Sequence, residues 1–226
     1  MELQKTFIFL KDLEKNNSLE WMKSHREQYL EAKNEFALFI QDLIHRIAKF
    51  DPSVACLRAE DLTYRLNKDT RFSKNKTPYH TAFRAHISTA GKKPIPAGYY
   101  ICISPSASFL GGGVFATQFP QATTLVRDYI LQNAEEFQRI INTHEFAAHF
   151  SIEGDKLKNV PRGYDKEHPL SEYMKHKSWD IEYHVSYQQL LENDISFIAQ
   201  KFQLMKPFND FLNEALKEFT LPRPQR

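Results

Sequence analysis

The hydrophobic period of this sequence changes twice along the chain, and that change constrains the fold more than any other feature. Leu3, Phe7, Leu10 and Leu13 recur at steps of three and four, which lines apolar side chains along one side of a helix. Asn16-Asn17 ends the stripe, and Asn17 with Glu20 three residues on reads as a capping box that opens a second helix. Trp21, Tyr29, Phe36, Phe39, Ile40, Leu43, Ile44 and Ile47 hold helical spacing as far as Asp51-Pro52, either as one bent helix or as two broken near Lys33-Asn34. The period then drops to two. Residues 62–66 and 82–88 alternate and carry β-branched and aromatic side chains, residues 99–104 read as a buried strand, and 108–110 begin another before Gly111-Gly112-Gly113. After Pro120 the helical pattern returns over 123–143. An irregular stretch fills 151–168, a short helix 170–176 and a clean strand 179–185. Ser186 with Gln189 caps a further helix, and a long terminal helix over 195–219 is perturbed at Pro207. Strands joined by short loops, without helices between them, pair antiparallel. The expectation is an α+β fold with a central, mainly antiparallel sheet flanked by N-terminal and C-terminal helices. It forms a single domain over 1–220 with a tail at 221–226.

Composition narrows the class. A chain of 226 residues can bury about 70–75% of its unfolded surface, enough for a core without metals or disulfides. Hydrophobic residues at 42% and charged residues at 26% exclude a disordered chain. No apolar run approaches the roughly 18 residues of a membrane span, so no membrane partner is expected. The opening Met1-Glu2-Leu3-Gln4-Lys5 carries an acid, and the apolar stretch at 6–10 is too short for a signal peptide, so a cytoplasmic protein is expected. Cys56 and Cys102 stand apart and read as small apolar residues in a reducing compartment. None of the nine histidines has H-x-x-x-H or H-E-x-x-H spacing, so no metal or other cofactor is implied.

The overall charge of +2 conceals a local excess. Arg65, Lys68, Arg71, Lys74 and Lys76 face Asp69 alone within twelve residues, a net of +4 that leaves −2 for the rest of the chain. The segment lies between predicted strands and runs into Pro78, so it is a loop or wide hairpin rather than a cationic helix face. Two readings are open: Asp69 ties Arg65 and Arg71 into an ion-pair network that rigidifies the loop, or the excess charge receives an anion. The guanidinium fork suits phosphate and carboxylate. Phe72 and Tyr79 either anchor the loop or stack on a ligand ring. Three of the seven glycines are consecutive, Gly111, Gly112 and Gly113, which reads either as a backbone-amide cradle for an anion or as a tight turn or bulge. In the segment from Val160 to Pro169, Arg162 before Gly163 sits on a stiff turn and Tyr164 offers a cleft wall. Asp165 and His168 are spaced too loosely to argue an acid–base or metal pair.

These residues resemble a known family. The run Arg65-x-x-Lys68-Asp69-x-Arg71-Phe72-x-x-x-Lys76-x-Pro78-Tyr79 is similar to the signature R-x-x-R-D-x-R-F-x-x-x-K-x-P-Y of an uncharacterised, mostly bacterial family known as domain of unknown function 2461. The one departure, Lys68, keeps the charge and loses the guanidinium fork. Asn16-Asn17 with Glu20-Trp21, Gly98-Tyr99-Tyr100 with Ile103-Ser104-Pro105 and the glycine triplet, and Pro161 to Asp165 with His168-Pro169 extend the resemblance along nearly the whole chain. It implies membership but no particular reaction.

Three functions compete. The first is a site for an anionic small molecule with a phosphate or carboxylate, in a basic, aromatic-walled cleft. Its ligand-binding residues are Arg65, Lys68, Asp69, Arg71, Lys74, Lys76, Tyr79, Gly111, Gly112, Gly113, Arg162 and Tyr164. If it catalyses, phosphoryl or acyl chemistry with Asp69 as base is conceivable. An aspartate among cations has a depressed pKa, however, and suits an orienting role better than a base's. The second is single-stranded nucleic-acid binding, with loop cations on phosphates and Phe72, Tyr79 and Tyr100 stacking bases. Against it stands the acidic remainder of the chain, which offers no broad basic track. The third is a protein-interaction module docking through the Phe-rich terminal helix, whose plainer reading is core packing. The oligomeric state is not legible in the sequence.

Overall fold

The apolar stripe of the first helix is buried as its spacing requires. In α1 (Gln4–Lys15), Phe7, Leu10 and Leu13 are buried, and the helix packs on α3 (Arg26–Ile47). Each such side chain contributes about 1.5–3 kcal/mol by leaving water. The first N–H groups of a helix have no internal partner. Here the Glu35 carboxylate of α3 accepts from the Lys5 and Thr6 amides at 3.2 and 2.7 Å.

The computed structural model describes residues 3–71 and 74–222. Its fold is α+β with a central antiparallel five-stranded sheet. β1 (Phe83–Ile87), β2 (Tyr99–Ile103), β3 (Ser108–Val114), β4 (Ile152–Glu153) and β5 (Trp179–Val185) take the order β1-β2-β3-β5-β4. Ile152 pairs with Ile181 and Glu153 with Asp180. Besides α1 and α3, the described helices include α2 (Leu19–Ser24), α4 (Ala59–Leu62), α5 (Pro120–Gln132), α6 (Ala134–Ile141), α7 (His144–His149), α8 (Ser171–Met174), α9 (Tyr187–Glu192) and α10 (Ile195–Ala215). No helix among the described residues is long and apolar enough to cross a membrane.

The chain clusters into two compact units interleaved in sequence. The first comprises Met1–Lys92, Tyr100–Leu110 and His184–Gln203, the second Lys93–Tyr99, Gly111–Tyr183 and Leu204–Arg226. The first has the α1–α3 core, in which Phe36 and Phe83 sit 5.3 Å apart. In the second, Phe137 packs edge-on to Tyr173 at 5.0 Å, and Phe146 lies 5.5 Å from Phe208.

Several expectations of local structure are corrected. The second helix is capped by Ser18, whose Oγ accepts from the Trp21 amide at 3.2 Å, not by Asn17. The long helical segment breaks at His25 rather than near Lys33-Asn34. There Ser24 Oγ donates to the Trp21 carbonyl and His25 Nδ1 meets the same oxygen, side-chain bonds added to the one it accepts from the His25 amide at 3.0 Å. Residues 62–66 form no continuous strand: α4 ends at Leu62 and Thr63 makes only a single bridge to Ala85. The helix expected over 123–143 is divided at Asn133, whose side-chain and backbone N–H groups both donate to the Tyr129 carbonyl. The strand begun at Ser108 runs on through the glycine triplet to Val114. By contrast, β5 spans 179–185 as its alternation indicates, and Ser186 and Gln189 complete a capping box. Phe72, and residues 223–226 of the expected tail, lie outside the described residues.

Candidate functional site

The basic segment belongs to the first unit and is a wide loop closed at its base. Asn67 bridges Tyr79, the Lys68 amide donates to the Pro78 carbonyl at 2.8 Å, and the His80 amide to the Leu66 carbonyl at 2.7 Å. Asn17, released from capping, grips the same base from α1's end. Its Nδ2 donates to the Tyr79 carbonyl at 2.9 Å, and its Oδ1 accepts from the Tyr79 amide at 3.1 Å. Tyr79 itself is buried, which makes it an anchor of the loop.

Within the loop the cations are used unequally. Arg71 meets Asp69 as a two-toothed pair, Nη2 to Oδ2 at 2.6 Å and Nε to Oδ1 at 2.9 Å, with both partners exposed. That contact, with Arg65 adding to it, holds the Asp69 carboxyl below its ordinary range, so Asp69 suits orienting rather than proton abstraction. Lys68 Nζ donates to Thr77 Oγ1 at 2.8 Å and Lys76 Nζ to the Thr70 carbonyl at 3.0 Å, both neutral oxygens. Lys74 is exposed.

Arg65 stands at a cavity of about 400 Å³ lined also by Tyr29, Lys33, Phe36, Ala37, Glu60, Thr63, Tyr64, Phe83 and Lys92. The sequence explains how these meet. Residues 29, 33, 36 and 37 share one face of α3. Thr63 to Arg65 are extended along β1 through the Tyr64 amide, which donates to the Arg84 carbonyl at 2.9 Å. Phe83 opens β1 as the inward residue. The Lys92 carbonyl accepts from the Tyr64 hydroxyl at 3.2 Å, while Lys92 Nζ donates to the Thr63 carbonyl at 3.1 Å. Phe36 and Phe83 are buried, Tyr29 and Tyr64 half-buried, and Lys33, Arg65 and Lys92 exposed. Burial raises the hydroxyl pKa of both tyrosines. Glu60 already pairs with Arg58. Among the described residues no ion pair joins Lys33, Arg65 or Lys92 to a carboxylate.

The remaining sequence candidates belong to the second unit. Gly111, Gly112 and Gly113 are buried inside β3. Gly113 has φ +90°, and a Cβ there would lie 2.0 Å from the Trp179 carbonyl oxygen. Its amide donates to Asn209 Oδ1 at 2.7 Å, and Asn209 Nδ2 donates to the Gly98 carbonyl at 3.0 Å. Gly113 is thus accounted for by close backbone approach and Gly112 by the Asn209, Met205 and Ile181 side chains packed against it, and the Gly113 N–H is spent on Asn209. Arg162 is exposed, and Tyr164 donates to Asp128 Oδ1 at 2.7 Å. Burial and that carboxylate push the Tyr164 hydroxyl up to about 12. Asp165 accepts from the Glu167 amide and His168 Nδ1 from the Leu170 amide, both as turn formers. No group of three His, Cys, Asp or Glu side chains among the described residues is placed to hold a metal ion.

With the fold and its cavity in hand, the chain can be set against known proteins. A family described as "Conserved hypothetical protein (DUF2461)" matches residues 5–211. The chain belongs to that family. Comparison with curated proteins and with solved structures finds no match. For this DUF2461 chain, then, the site rests on its own geometry. Sequence reading found Arg65 and missed Tyr29, Lys33, Tyr64 and Lys92. The i, i+4 spacing of Tyr29 and Lys33 beside the buried stripe was the only local signal for two of them.

Proposed function

We propose that the protein binds an anionic small molecule, bearing a phosphate or carboxylate, in the cavity of the first unit. The single observation that supports this is the cavity's rim. Arg65, Lys33 and Lys92 surround about 400 Å³ of space, and Glu60, the one acid of the lining, is paired with Arg58. Three cations brought together, with no ion pair to a carboxylate among the described residues, repel one another, and an oxyanion relieves that repulsion with charge-assisted hydrogen bonds. The loop cations Lys68, Arg71, Lys74 and Lys76, with Asp69 orienting Arg71, form the approach on the same unit. With Tyr79 as the loop's anchor, the proposal leaves out Gly111, Gly112, Gly113, Arg162 and Tyr164, which belong to the second unit.

The test is thermal unfolding with inorganic phosphate and with citrate, for the natural chain and for Arg65→Ala and Lys33→Ala. Ligand that binds only the folded state raises Tm in proportion to occupancy. The natural chain is expected to shift upward and both variants to lose most of the shift. No shift in the natural chain, or equal shifts in all three, would overturn the reading.

A second reading, single-stranded nucleic-acid binding, draws on a row of rings in the same unit. Tyr64 lies 6.2 Å from Tyr100, Tyr100 stacks at 5.7 Å on Phe109, Phe109 lies 6.2 Å from His184, and the Arg84 guanidinium sits 5.4 Å from the Tyr64 ring centre. Salt-sensitive retention on single-stranded oligonucleotides supports it, and absence of retention at low salt removes it.

A further inference from the structure

We infer that the ligand of the Arg65–Lys33–Lys92 cavity is a planar ring carrying one phosphate, the ring seated among the aromatic walls and the phosphate held at the rim; this rests on the anion reading above.

The argument starts from how the lining divides. Charge and burial separate within it: Lys33, Arg65 and Lys92 are exposed, whereas Phe36 and Phe83 are 1% and 3% exposed at the floor. A bare inorganic anion uses only the rim. It gains nothing from apolar walls, and it is far smaller than a cavity of about 400 Å³, which lies in the range of about 300–1,000 Å³ that organic ligands occupy. A purely apolar guest uses only the floor and leaves the three cationic side chains of the lining without an anion. The lining fits a guest with one apolar end and one anionic end.

The shape of the apolar end follows from the ring planes. Tyr29 and Phe83 are within 7° of parallel at 6.4 Å, and Phe36 lies 28° from Phe83 at 5.3 Å. Rings in closely parallel planes continue most favourably into another flat ring, because offset stacking preserves the quadrupole match. Tyr64 supplies a further half-buried ring. Its position is set by the hydroxyl bond to the Lys92 carbonyl and by Arg84 beside the ring, so it presents a fixed surface. The size of the anionic end follows from charge: three rim cations against a Glu60 already paired suit the roughly −1.5 to −2 of one phosphate monoester. A triphosphate exceeds it.

Four probes separate this inference from the reading beneath it: phenyl phosphate, adenosine 5′-monophosphate, ribose 5-phosphate and inorganic phosphate, each titrated calorimetrically. Phenyl phosphate or adenosine 5′-monophosphate is expected to bind at least about tenfold more tightly than ribose 5-phosphate, within the range that stacking of one ring supplies. Tyr64→Leu and Tyr29→Leu keep apolar volume and remove a π face. They are expected to reduce that preference to about twofold, the loss falling mainly on the ring phosphates, with folding checked by circular dichroism. Arg65→Ala is expected to weaken all four probes. If ribose 5-phosphate binds as tightly as the ring phosphates to the natural chain, and Arg65→Ala abolishes both, the ring is wrong and the anion reading stands. If no probe binds, the anion reading itself falls. Should either tyrosine variant fail to fold, the comparison of probes on the natural chain still decides.

Discussion

Arg65 and Arg127 show two ways for a fold to use a guanidinium. Arg65, in the first unit, is exposed at the edge of a cavity and makes no ion pair with a carboxylate among the described residues. Arg127, in the second unit, is 6% exposed. Its Nη2 donates to the His176 carbonyl at 2.7 Å, its carbon lies 5.9 Å from the Trp179 ring centre, and burial lowers its pKa. The same contrast holds for backbone groups, since the Gly113 amide is committed to Asn209. What makes a polar group available to a ligand is that the fold has not already consumed it. By that criterion Arg65 is open to a ligand, whereas Arg127 and the Gly113 amide have structural roles.

The strongest attempt to break this contrast is Gly113→Ala. A methyl there must adopt φ +90° and enter the space of the Trp179 carbonyl, so a loss of about 4 kcal/mol or more, or failure to fold, is expected in urea titration. A loss below about 1 kcal/mol would mean that the triplet is not structural. Next is Asn209→Ala, which strips partners from the buried Gly113 amide and Gly98 carbonyl. It is expected to cost about 2–4 kcal/mol by the same titration, since each orphaned buried group costs about 1–3 kcal/mol.

A smaller effect comes with pH. Burial, helped by Lys156, depresses the pKa of His176 below its ordinary 6.5, so the unfolded chain binds the proton more readily. Stability is full above about pH 6.5 and falls as pH drops through the window down to the depressed value. Tm should decline between pH 7.5 and 5.5, and less steeply in His176→Gln. His80, depressed chiefly by burial, keeps the same sign in that variant, so its profile flattens without becoming level. Identical profiles would reject the assignment. The smallest effect sharpens the contrast. Arg65→Ala is expected to change stability by no more than about 0.5 kcal/mol while removing most of the phosphate protection. A large destabilisation would show that Arg65, like Arg127, is held by the fold.

Much of the architecture was legible because short-range rules govern it. A three-to-four step forces α1 and α3 to bury one side. Strict alternation sets β5, and Ser186 with Gln189 closes a capping box within four residues. Breaks were harder, since Asn133 and His25 end helices through side-chain bonds to carbonyls four residues back, where helical periodicity alone gives no warning. The cavity was legible in only one of its cations. Arg65 advertised itself within a charged run, but Lys33 and Lys92 are separated by 58 intervening positions and look in the sequence like ordinary surface lysines. Local spacing determines which elements form and which side of each is apolar, because those preferences act over one turn or one pleat. Which cations meet around an open cavity, and which are buried and consumed, is decided only when distant elements pack, because charge acts through space and not along the chain.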